Sequence, residues 1–207
     1  MKILVIGATG PTGLELVQQG LALGYAMTAT ARKPESANLP AGVNVVRADV
    51  TDAASLHAAV AGQDAVISSL GTKLDRKPTT LLSDGTRNLV EAMKLAKVMR
   101  LVCITGVGAG DSRGHGGFFY DRIFQPLMLN EVYKDKDRQE AVVRESGLVW
   151  TLIRPGILTN GPRTGRFREL QDLSGITLGK IARADVAGYI LEHVKDERCY
   201  KKTLNLG

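Results

Sequence analysis

The sequence has no long hydrophobic run and only two cysteines, Cys103 and Cys199, among its 207 residues. No apolar stretch approaches the ~20 residues that a membrane-spanning helix needs, and the opening MKILVIGATG becomes glycine-rich too early for a signal peptide. The cysteines form no C-x-x-C pair, and Cys103 lies inside an apolar run, which is typical of a buried structural thiol. These absences favour a cytoplasmic protein without a membrane partner.

Other functional signatures are missing as well. The sequence has no cluster of residues with metal-ligand spacing and no G-x-S-x-G motif, so we expect no metal and neither a metallohydrolase nor a serine hydrolase. The net charge is +6, but the lysines and arginines are spread along the chain instead of forming one stripe or arm. The charge therefore predicts a basic cleft for a small polyanion, and no nucleic-acid partner.

Apolar segments that favour strands alternate with helical patterns along the whole chain. The predicted strands are 2–6, 26–31, 43–48, 64–70, 100–106, 148–156 and 201–206, and the clearest helices are 12–23, 51–62, 79–98 and 183–196. This alternation predicts an α/β fold, a Rossmann-like doubly wound parallel sheet of six or seven strands. We expect a single domain, residues 1–207, with a small substrate lobe formed by segments 106–130 and 154–182.

A glycine motif lies between the first strand and the first helix. In GATGPTG, Gly7, Gly10 and Gly13 have the spacing G-x-x-G-x-x-G. Glycine lets the backbone turn tightly and approach a pyrophosphate, which the N–H groups at the start of the helix then bind. Because the motif follows a strand and opens a helix, it predicts a dinucleotide site instead of an ordinary tight turn.

The end of the second strand indicates which dinucleotide binds. An NAD site usually has an acidic residue about 20 residues after the glycines, but here TATARKP supplies Arg32 and Lys33, with no carboxylate before Glu35. Two cations suit a 2′-phosphate, although two solvated loop cations are the alternative. The sequence thus predicts NADP(H), with NAD(H) still possible, and places Asp49 and Val50 beside the adenine.

The segments after the fifth and sixth strands contain candidate substrate groups. Phe118, Phe119 and Tyr120 either stack on a planar ring or anchor the lobe to the core. His115 either supplies a proton or is simply solvated. Basic residues after the sixth strand either bind an anionic substrate or form a solvated loop; they are Arg154, Arg163, Arg166 and Arg168.

Tyr133 and Lys136 lie three residues apart, whereas short-chain dehydrogenases use a tyrosine and a lysine four apart. Each helical residue turns the side chain by about 100°, so this tyrosine cannot take the orientation of a Y-x-x-x-K dyad. Val132, four residues before Lys136, has no proton to donate. Lys136 either contacts the ribose or is a structural lysine that pairs with Glu140, four residues on.

Several motifs together resemble the atypical short-chain dehydrogenase/reductases of the NAD(P)H-binding (NmrA-like) type, and most closely the biliverdin-IXβ/flavin reductase group. They are GATGPTG, RADV, GQDAVISSLGT, PTTLLSDGTRNLVEAMK, RESGL and RPGILTNGPRTG. The resemblance implies a Rossmann-type protein, a monomer or weak dimer, that binds NADPH and passes hydride to a small-molecule acceptor. It differs from the mammalian reductase at Gly106 and Ile157, where that enzyme has serine and histidine, which argues against biliverdin itself.

The resemblance also implies the residues of the site. The cofactor contacts are Gly7, Thr9, Gly10, Pro11, Thr12, Gly13, Arg32, Lys33, Asp49, Val50, Leu70, Gly71, Thr72 and Lys73, with Thr105, Lys136, Pro155, Gly156 and Ile157 near the nicotinamide. From the loops and the helix described above, and not from the resemblance, come the substrate candidates Phe118, Phe119, Tyr120, Arg163 and Arg166 and the catalytic candidates His115 and Lys136, to which Thr105 is added.

Two classes of function follow. The first is an NADPH-dependent reductase acting on a planar acceptor, namely a flavin, a quinone or a tetrapyrrole-like ring, with flavin as a dissociable substrate instead of a prosthetic group. The second is a non-catalytic redox sensor that holds NADP(H) and reports its state to a partner. An epimerase with tightly bound NAD is disfavoured by Arg32 and Lys33.

Overall fold

The computed structural model describes residues 1–72 and 77–207, except for the side chains of Tyr120, Phe124 and Pro126. Lys73, predicted to bind the cofactor, lies outside these residues. The strands are β1 (Lys2–Ile6), β2 (Ala26–Ala31), β3 (Asn44–Arg47), β4 (Ala65–Ser68), β5 (Arg100–Ile104), β6 (Val149–Pro155), β7 (Ile157–Thr159), β8 (Glu169–Leu170), β9 (Lys180–Ala182) and β10 (Lys202–Leu206). The α-helices are α1 (Pro11–Ala22), α2 (Ala53–Val60), α3 (Leu81–Leu95), α4 (Asn130–Glu145) and α5 (Arg183–His193).

The main sheet has eight strands in the order β3-β2-β1-β4-β5-β6-β10-β8. Its strands are parallel except β8, which pairs antiparallel with β10. The predicted doubly wound α/β fold is therefore confirmed, but the prediction of six or seven strands was too low. The extra strands β7, β8 and β9 are two or three residues long, too short to show the apolar alternation that predicts a strand.

Both faces of the sheet are buried. One apolar cluster joins Ile3 and Val5 of β1 to Leu16 of α1 and Ile190 of α5. A second cluster, on the opposite face, joins β1 and β5 to α2, α3 and α4 and includes Cys103, which confirms the predicted buried thiol. Strands covered on both sides explain the continuous apolar runs KILVI and LVCI. In the described part of the chain, no helix is long and apolar enough to cross a bilayer.

Strand order reverses at β1, which lies between β2 and β4. In an open α/β sheet, ligands bind at such a switch point, beyond the carboxyl ends of the strands. The loops after β1, β2, β3, β4 and β5 therefore surround the predicted cleft.

The segment after β5 differs from the expected long loop. Its second half, Tyr120–Leu129, is a π-helix that continues directly into α4. Short π-helical segments are rare and often occur at functional sites.

Candidate functional site

The glycine loop has the geometry of an anion cradle. Gly7 has a φ of +75°, and the N–H of Gly10 donates to the carbonyl of Gly7 at 3.1 Å. A Cβ atom added to Gly13 would lie 2.2 Å from the Gly7 carbonyl oxygen, so no other residue fits there. Helix α1 begins at Pro11, and no side chain of residues 1–72 or 77–207 caps its first N–H groups. These groups are oriented to bind an anion.

Arg32 and Lys33 follow β2 and are both exposed. Within the described residues, neither side chain forms a hydrogen bond or an ion pair. Asp49, at the end of β3, accepts hydrogen bonds from the N–H of Thr51 at 2.9 Å and from its hydroxyl at 2.8 Å. These bonds hold the pKa of Asp49 below its ordinary value, and the charge of Arg32 acts in the same direction. Asp49 is therefore ionised and close to Arg32.

The predicted adenine and ribose side of the cleft consists of the ends of β3 and β4. Val50 and Leu70 are half-buried and pack close to α3 at Gly85, where an added Cβ would lie 2.8 Å from Val50. Ser69 donates to the carbonyls of Ile6 and Gly7, at 3.1 and 3.2 Å. The end of β4 is thus fastened to the glycine loop.

Thr105 and Lys136 meet at the end of β5. The Nζ of Lys136 donates to the carbonyl oxygen of Thr105 at 2.8 Å. The Thr105 hydroxyl donates to Oε1 of Glu140 at 2.8 Å. Burial lowers the pKa of Lys136 below its ordinary value, although neighbouring Cys103, Glu140 and Asp135 oppose this shift. A lysine with a lowered pKa releases its proton more readily than a solvated one.

The helical spacing predicted that Glu140 could pair with Lys136. In the structure, Glu140 instead forms an ion pair with Arg154. The two side chains form a bidentate pair of 2.8 and 2.6 Å, and each is about 97% buried or more. Burial raises the pKa of Glu140, but the hydrogen bonds and charge of Arg154 outweigh it, and the net shift is downward. Arg154 also pairs with Asp111. The prediction that Arg154 is a cation at the cleft mouth is therefore wrong, because its guanidinium is enclosed by two carboxylates.

Tyr133 is only 7% exposed, and its hydroxyl donates to the carbonyl of Val107 at 2.8 Å. Its ring lies against Gly108, where an added Cβ would lie 3.0 Å from the tyrosine Cε1. Tyr133 therefore supports the loop after β5, a role that its spacing from Lys136 did not predict.

The loop after β5 positions the aromatic and histidine candidates differently. His115 is half-buried, and its Nδ1 lies 2.8 Å from the carbonyl of Ile176, so this nitrogen is the proton-bearing one. His115 thus ties segment 106–130 to segment 154–182 and is not simply solvated. Phe118 and Phe119 are 71% and 75% exposed and touch each other edge-to-face, with ring centroids 5.6 Å apart. The described part of the core does not enclose them, so they do not anchor the lobe.

The residues of the RPGI turn lie where β6 meets β7. Pro155 and Gly156 are buried, and an added Cβ on Gly156 would lie 2.2 Å from the carbonyl of Gly179. Ile157 is 40% exposed. The turn is held by a hydrogen bond from Val107 N–H to the Pro155 carbonyl, at 2.9 Å.

The two predicted substrate arginines differ in their contacts. Arg163 lies over Gly188 of α5 and pairs with Glu192. This ion pair directs its guanidinium to α5, so the structure does not support its expected role at the cleft mouth. Arg166 is exposed, and within the described residues its guanidinium has no ion pair or hydrogen bond.

Two buried carboxylates were not predicted as site residues. Asp185 of α5 accepts hydrogen bonds from Thr164 and Gly165 and fastens the loop that precedes Arg166. Asp135 of α4 accepts from the N–H groups of Leu82 and Ser83, at 2.8 and 3.3 Å, and so caps α3, which has no side-chain cap of its own. In the sequence, an aspartate before Lys136 looks like any solvated helix residue, so only the packing of α3 on α4 reveals this role.

The site therefore fits a dinucleotide. The glycine cradle excludes side chains, the start of α1 offers uncapped N–H groups, and Arg32 and Lys33 are exposed cations beside it. These features lie on the same edge of the sheet as Thr105 and Lys136.

Comparison with known proteins agrees with this geometry. Residues 7–197 match the model of a family described as NAD(P)H-binding. A Bacillus subtilis protein named uncharacterized sugar epimerase YhfK is 30% identical over 218 residues, covering 100% of this chain and 94% of that protein. An NAD(P)H azoreductase from Xenophilus azovorans is 29% identical over 160 residues, covering 74% of this chain and 47% of that protein. The solved structure of ChuY, an anaerobillin reductase from Escherichia coli O157:H7, superposes with a TM-score of 0.83 at 24% identity, covering 100% and 96% of the two chains.

Proposed function

The chain belongs to the NAD(P)H-binding family, and we propose that it is an NADPH-dependent reductase that delivers hydride to a planar acceptor. The acceptor classes that suit the site are flavins, quinones and tetrapyrrole-like rings, taken as dissociable substrates. One observation carries the proposal: the glycine cradle and the exposed Arg32 share the carboxyl edge of the sheet with Thr105 and Lys136.

The nicotinamide dinucleotide, when bound, supplies the hydride chemistry. The role of the chain's own residues is to bind this dinucleotide and to orient it. The N–H groups at the start of α1 would hold the diphosphate, and Arg32 and Lys33 would hold the 2′-phosphate. Because the carbonyl of Thr105 accepts the Lys136 hydrogen bond, its position at the end of β5 is fixed.

The chain has Val132 where a dehydrogenase dyad has its tyrosine, and the hydroxyl of Tyr133 donates its hydrogen bond to the Val107 carbonyl. An alcohol–ketone reaction needs a strong proton donor at the reacting oxygen. Planar acceptors need hydride more than a positioned acid, because their heteroatoms exchange protons with water. Lys136, with its lowered pKa, or solvent supplies the proton.

Phe118 and Phe119 support the choice of a planar acceptor. Both rings are exposed although large apolar side chains gain stability from burial. An aromatic ligand that stacks on these rings would bury them.

The name of the relative YhfK raises a rival, a sugar epimerase. Epimerases of this fold class keep NAD tightly bound, and an acidic residue after β2 would favour NAD. Arg32 and Lys33 occupy that position here. The azoreductase, by contrast, is named for reduction of an acceptor by NAD(P)H.

Steady-state oxidation of NADPH with FMN, dichlorophenolindophenol, menadione or biliverdin tests the proposal. We expect turnover with at least one flavin or quinone. The double variant F118A/F119A should raise the acceptor KM about two- to tenfold and leave the Kd for NADPH unchanged. L95A is the matched control, since Leu95 is 73% exposed at the end of α3. Tight NADPH binding without oxidation in any mixture would instead indicate a redox sensor.

A further inference from the structure

We propose that Arg47 is a specificity-determining residue, which keeps Arg32 available for a 2′-phosphate by holding the neighbouring carboxylate of Glu35. This inference rests on the proposed use of NADPH. It concerns how the chain would distinguish NADPH from NADH, and not the transfer of hydride itself.

Arg47 is the last residue of β3, and it pairs in register with Ala31, the residue before Arg32. Its Nη1 donates to the carbonyl oxygen of Arg32 at 3.0 Å. Its Nη2 donates to Oε2 of Glu35 at 2.9 Å. One guanidinium therefore fixes the backbone of Arg32 and binds the first carboxylate that follows it in the sequence.

The other carboxylate near Arg32 is also engaged elsewhere. Asp49 accepts both hydrogen bonds of Thr51, one from its N–H and one from its hydroxyl. Two acidic residues thus lie near Arg32, and each has a different partner. As a result, the Arg32 guanidinium has no ion pair or hydrogen bond within the described residues. It is exposed to solvent, although Glu35 and Asp49 both lie near it.

Loss of Arg47 would change this arrangement. Glu35 lies three residues after Arg32, within the single 3-10 turn Pro34–Ser36, and a released carboxylate could pair with Arg32. It would also place an uncompensated negative charge beside the site of a phosphate, where like charges repel. Both effects weaken a ligand with a 2′-phosphate and leave a ligand without it almost unchanged.

The solvent exposure of the Arg47–Glu35 ion pair determines how large a change in ligand affinity we expect. The Arg47 and Glu35 side chains are 65% and 63% exposed, so solvent screens their interaction strongly. We therefore expect a change of about three- to tenfold in affinity, and little change in the stability of the fold.

The test measures binding of 2′,5′-ADP and 5′-AMP by calorimetry, so it does not depend on turnover. Four proteins are compared: the wild type, R47A, E35Q and R47A/E35Q. R87A is the matched control, because Arg87 forms a similarly exposed pair with Asp84 on α3. Thermal unfolding of each variant checks that the fold is preserved.

We expect the wild type to prefer 2′,5′-ADP. R47A should bind 2′,5′-ADP about three- to tenfold more weakly than the wild type does. Its affinity for 5′-AMP should stay within about twofold of the wild-type value. The control R87A should bind both probes within about twofold of the wild-type affinities. In R47A/E35Q, affinity for 2′,5′-ADP should return to within about twofold of the wild type, because the competing carboxylate is gone.

Three results would overturn the inference: a double variant as weak as R47A, an equal loss for both probes, or a wild type that does not distinguish them. The first result would mean that Arg47 acts through its own charge or through the Arg32 carbonyl that it holds, and not through Glu35. The proposed function fails by a different observation, the absence of acceptor-dependent NADPH oxidation, which leaves the binding pattern of the variants intact.

Discussion

The ammonium group of Lys136 lies 2.8 Å from the carbonyl oxygen of Thr105 and donates a hydrogen bond to it, which joins α4 to the end of β5. The same segment of α4, residues 135–140, contributes Asp135, which caps α3, and Glu140, which binds Arg154 of β6. Three neighbouring parts of the cleft are therefore fixed by six residues of one helix. Changes in this segment should alter both the stability and the chemistry of the protein.

Replacing Lys136 by methionine should slow acceptor reduction. The change keeps the length and apolar stem of the side chain but removes the hydrogen bond to Thr105 and a proton donor of lowered pKa. We expect kcat to fall about tenfold or more. K134M is the control, because Lys134 is exposed and pairs with Glu131 one turn away. Equal kcat values for K136M and K134M would exclude a role for Lys136 in the reaction.

The lowered pKa of Lys136 also predicts a pH dependence of stability. Between the folded-state pKa and the unfolded value of about 10.4, the unfolded chain binds this proton and the folded chain does not. The free energy of unfolding attributable to Lys136 must therefore rise with pH through this window. Urea denaturation of wild type and K136M from pH 7 to 10 measures it. The free energy of unfolding of the wild type minus that of K136M should increase as pH rises, and a decrease would contradict the lowered pKa.

Replacing Glu140 by glutamine should destabilise the fold strongly. Arg154 would keep a buried charge with only the exposed carboxylate of Asp111 to neutralise it. We expect a loss of about 3 kcal/mol in the free energy of unfolding at pH 7. Because the pKa of Glu140 is lowered, its contribution is present above the unfolded pKa of about 4.3 and is lost as pH falls through the folded value. Chemical denaturation of E140Q and of the exposed-site control E145Q checks both statements; similar losses in the two variants would rule out a dominant buried pair.

Replacing Gly13 by alanine should abolish tight nucleotide binding. The new Cβ would overlap the Gly7 carbonyl at 2.2 Å, so the loop or the start of α1 must move. Gly179 offers a matched control, since an added Cβ there meets nothing within 4 Å. Fluorescence titration with NADPH should show at least about a hundredfold weaker binding for G13A and no change for G179A. Retained affinity in a folded G13A protein would mean that the cofactor does not use this loop.

Replacing Arg163 and replacing Arg166 should have different effects on the KM for the acceptor. Arg163 pairs with Glu192, whereas the guanidinium of Arg166 has no ion pair or hydrogen bond among the described residues. R166A should therefore raise KM for an anionic acceptor such as FMN about threefold or more, with less effect on a neutral quinone, and R163A should leave both unchanged. Equal effects of R166A on the charged and neutral acceptors would exclude Arg166 as an anion-binding residue.

The geometry of the glycine loop could be predicted because the local sequence determines it, whereas the individual cofactor contacts stay predictions. Gly13 is required by its close approach to the backbone of Gly7 and Ala8 within the same motif, and Arg32 follows a strand whose end the apolar pattern defines. The α/β order could be predicted for the same reason, since strands buried on both faces are almost purely apolar.

The parts that could not be predicted depend on contacts between distant elements. Arg154 has the same sequence context as a cleft cation, but Glu140 and Asp111 enclose it. Asp135 becomes a cap only because α3 packs on α4. The π-helix after the glycine-rich loop has no periodic signal that distinguishes it from irregular structure.

The central claim is hydride transfer from NADPH to a planar acceptor without a tyrosine acid. Single-turnover stopped-flow absorbance at 340 nm, a standard NADPH wavelength, tests it when the protein–NADPH complex is mixed with FMN or with menadione under anaerobic conditions. The account predicts that the absorbance decays at a rate that rises and saturates with acceptor concentration and is lower in K136M. Stable absorbance at every acceptor concentration, with NADPH still bound, would contradict it.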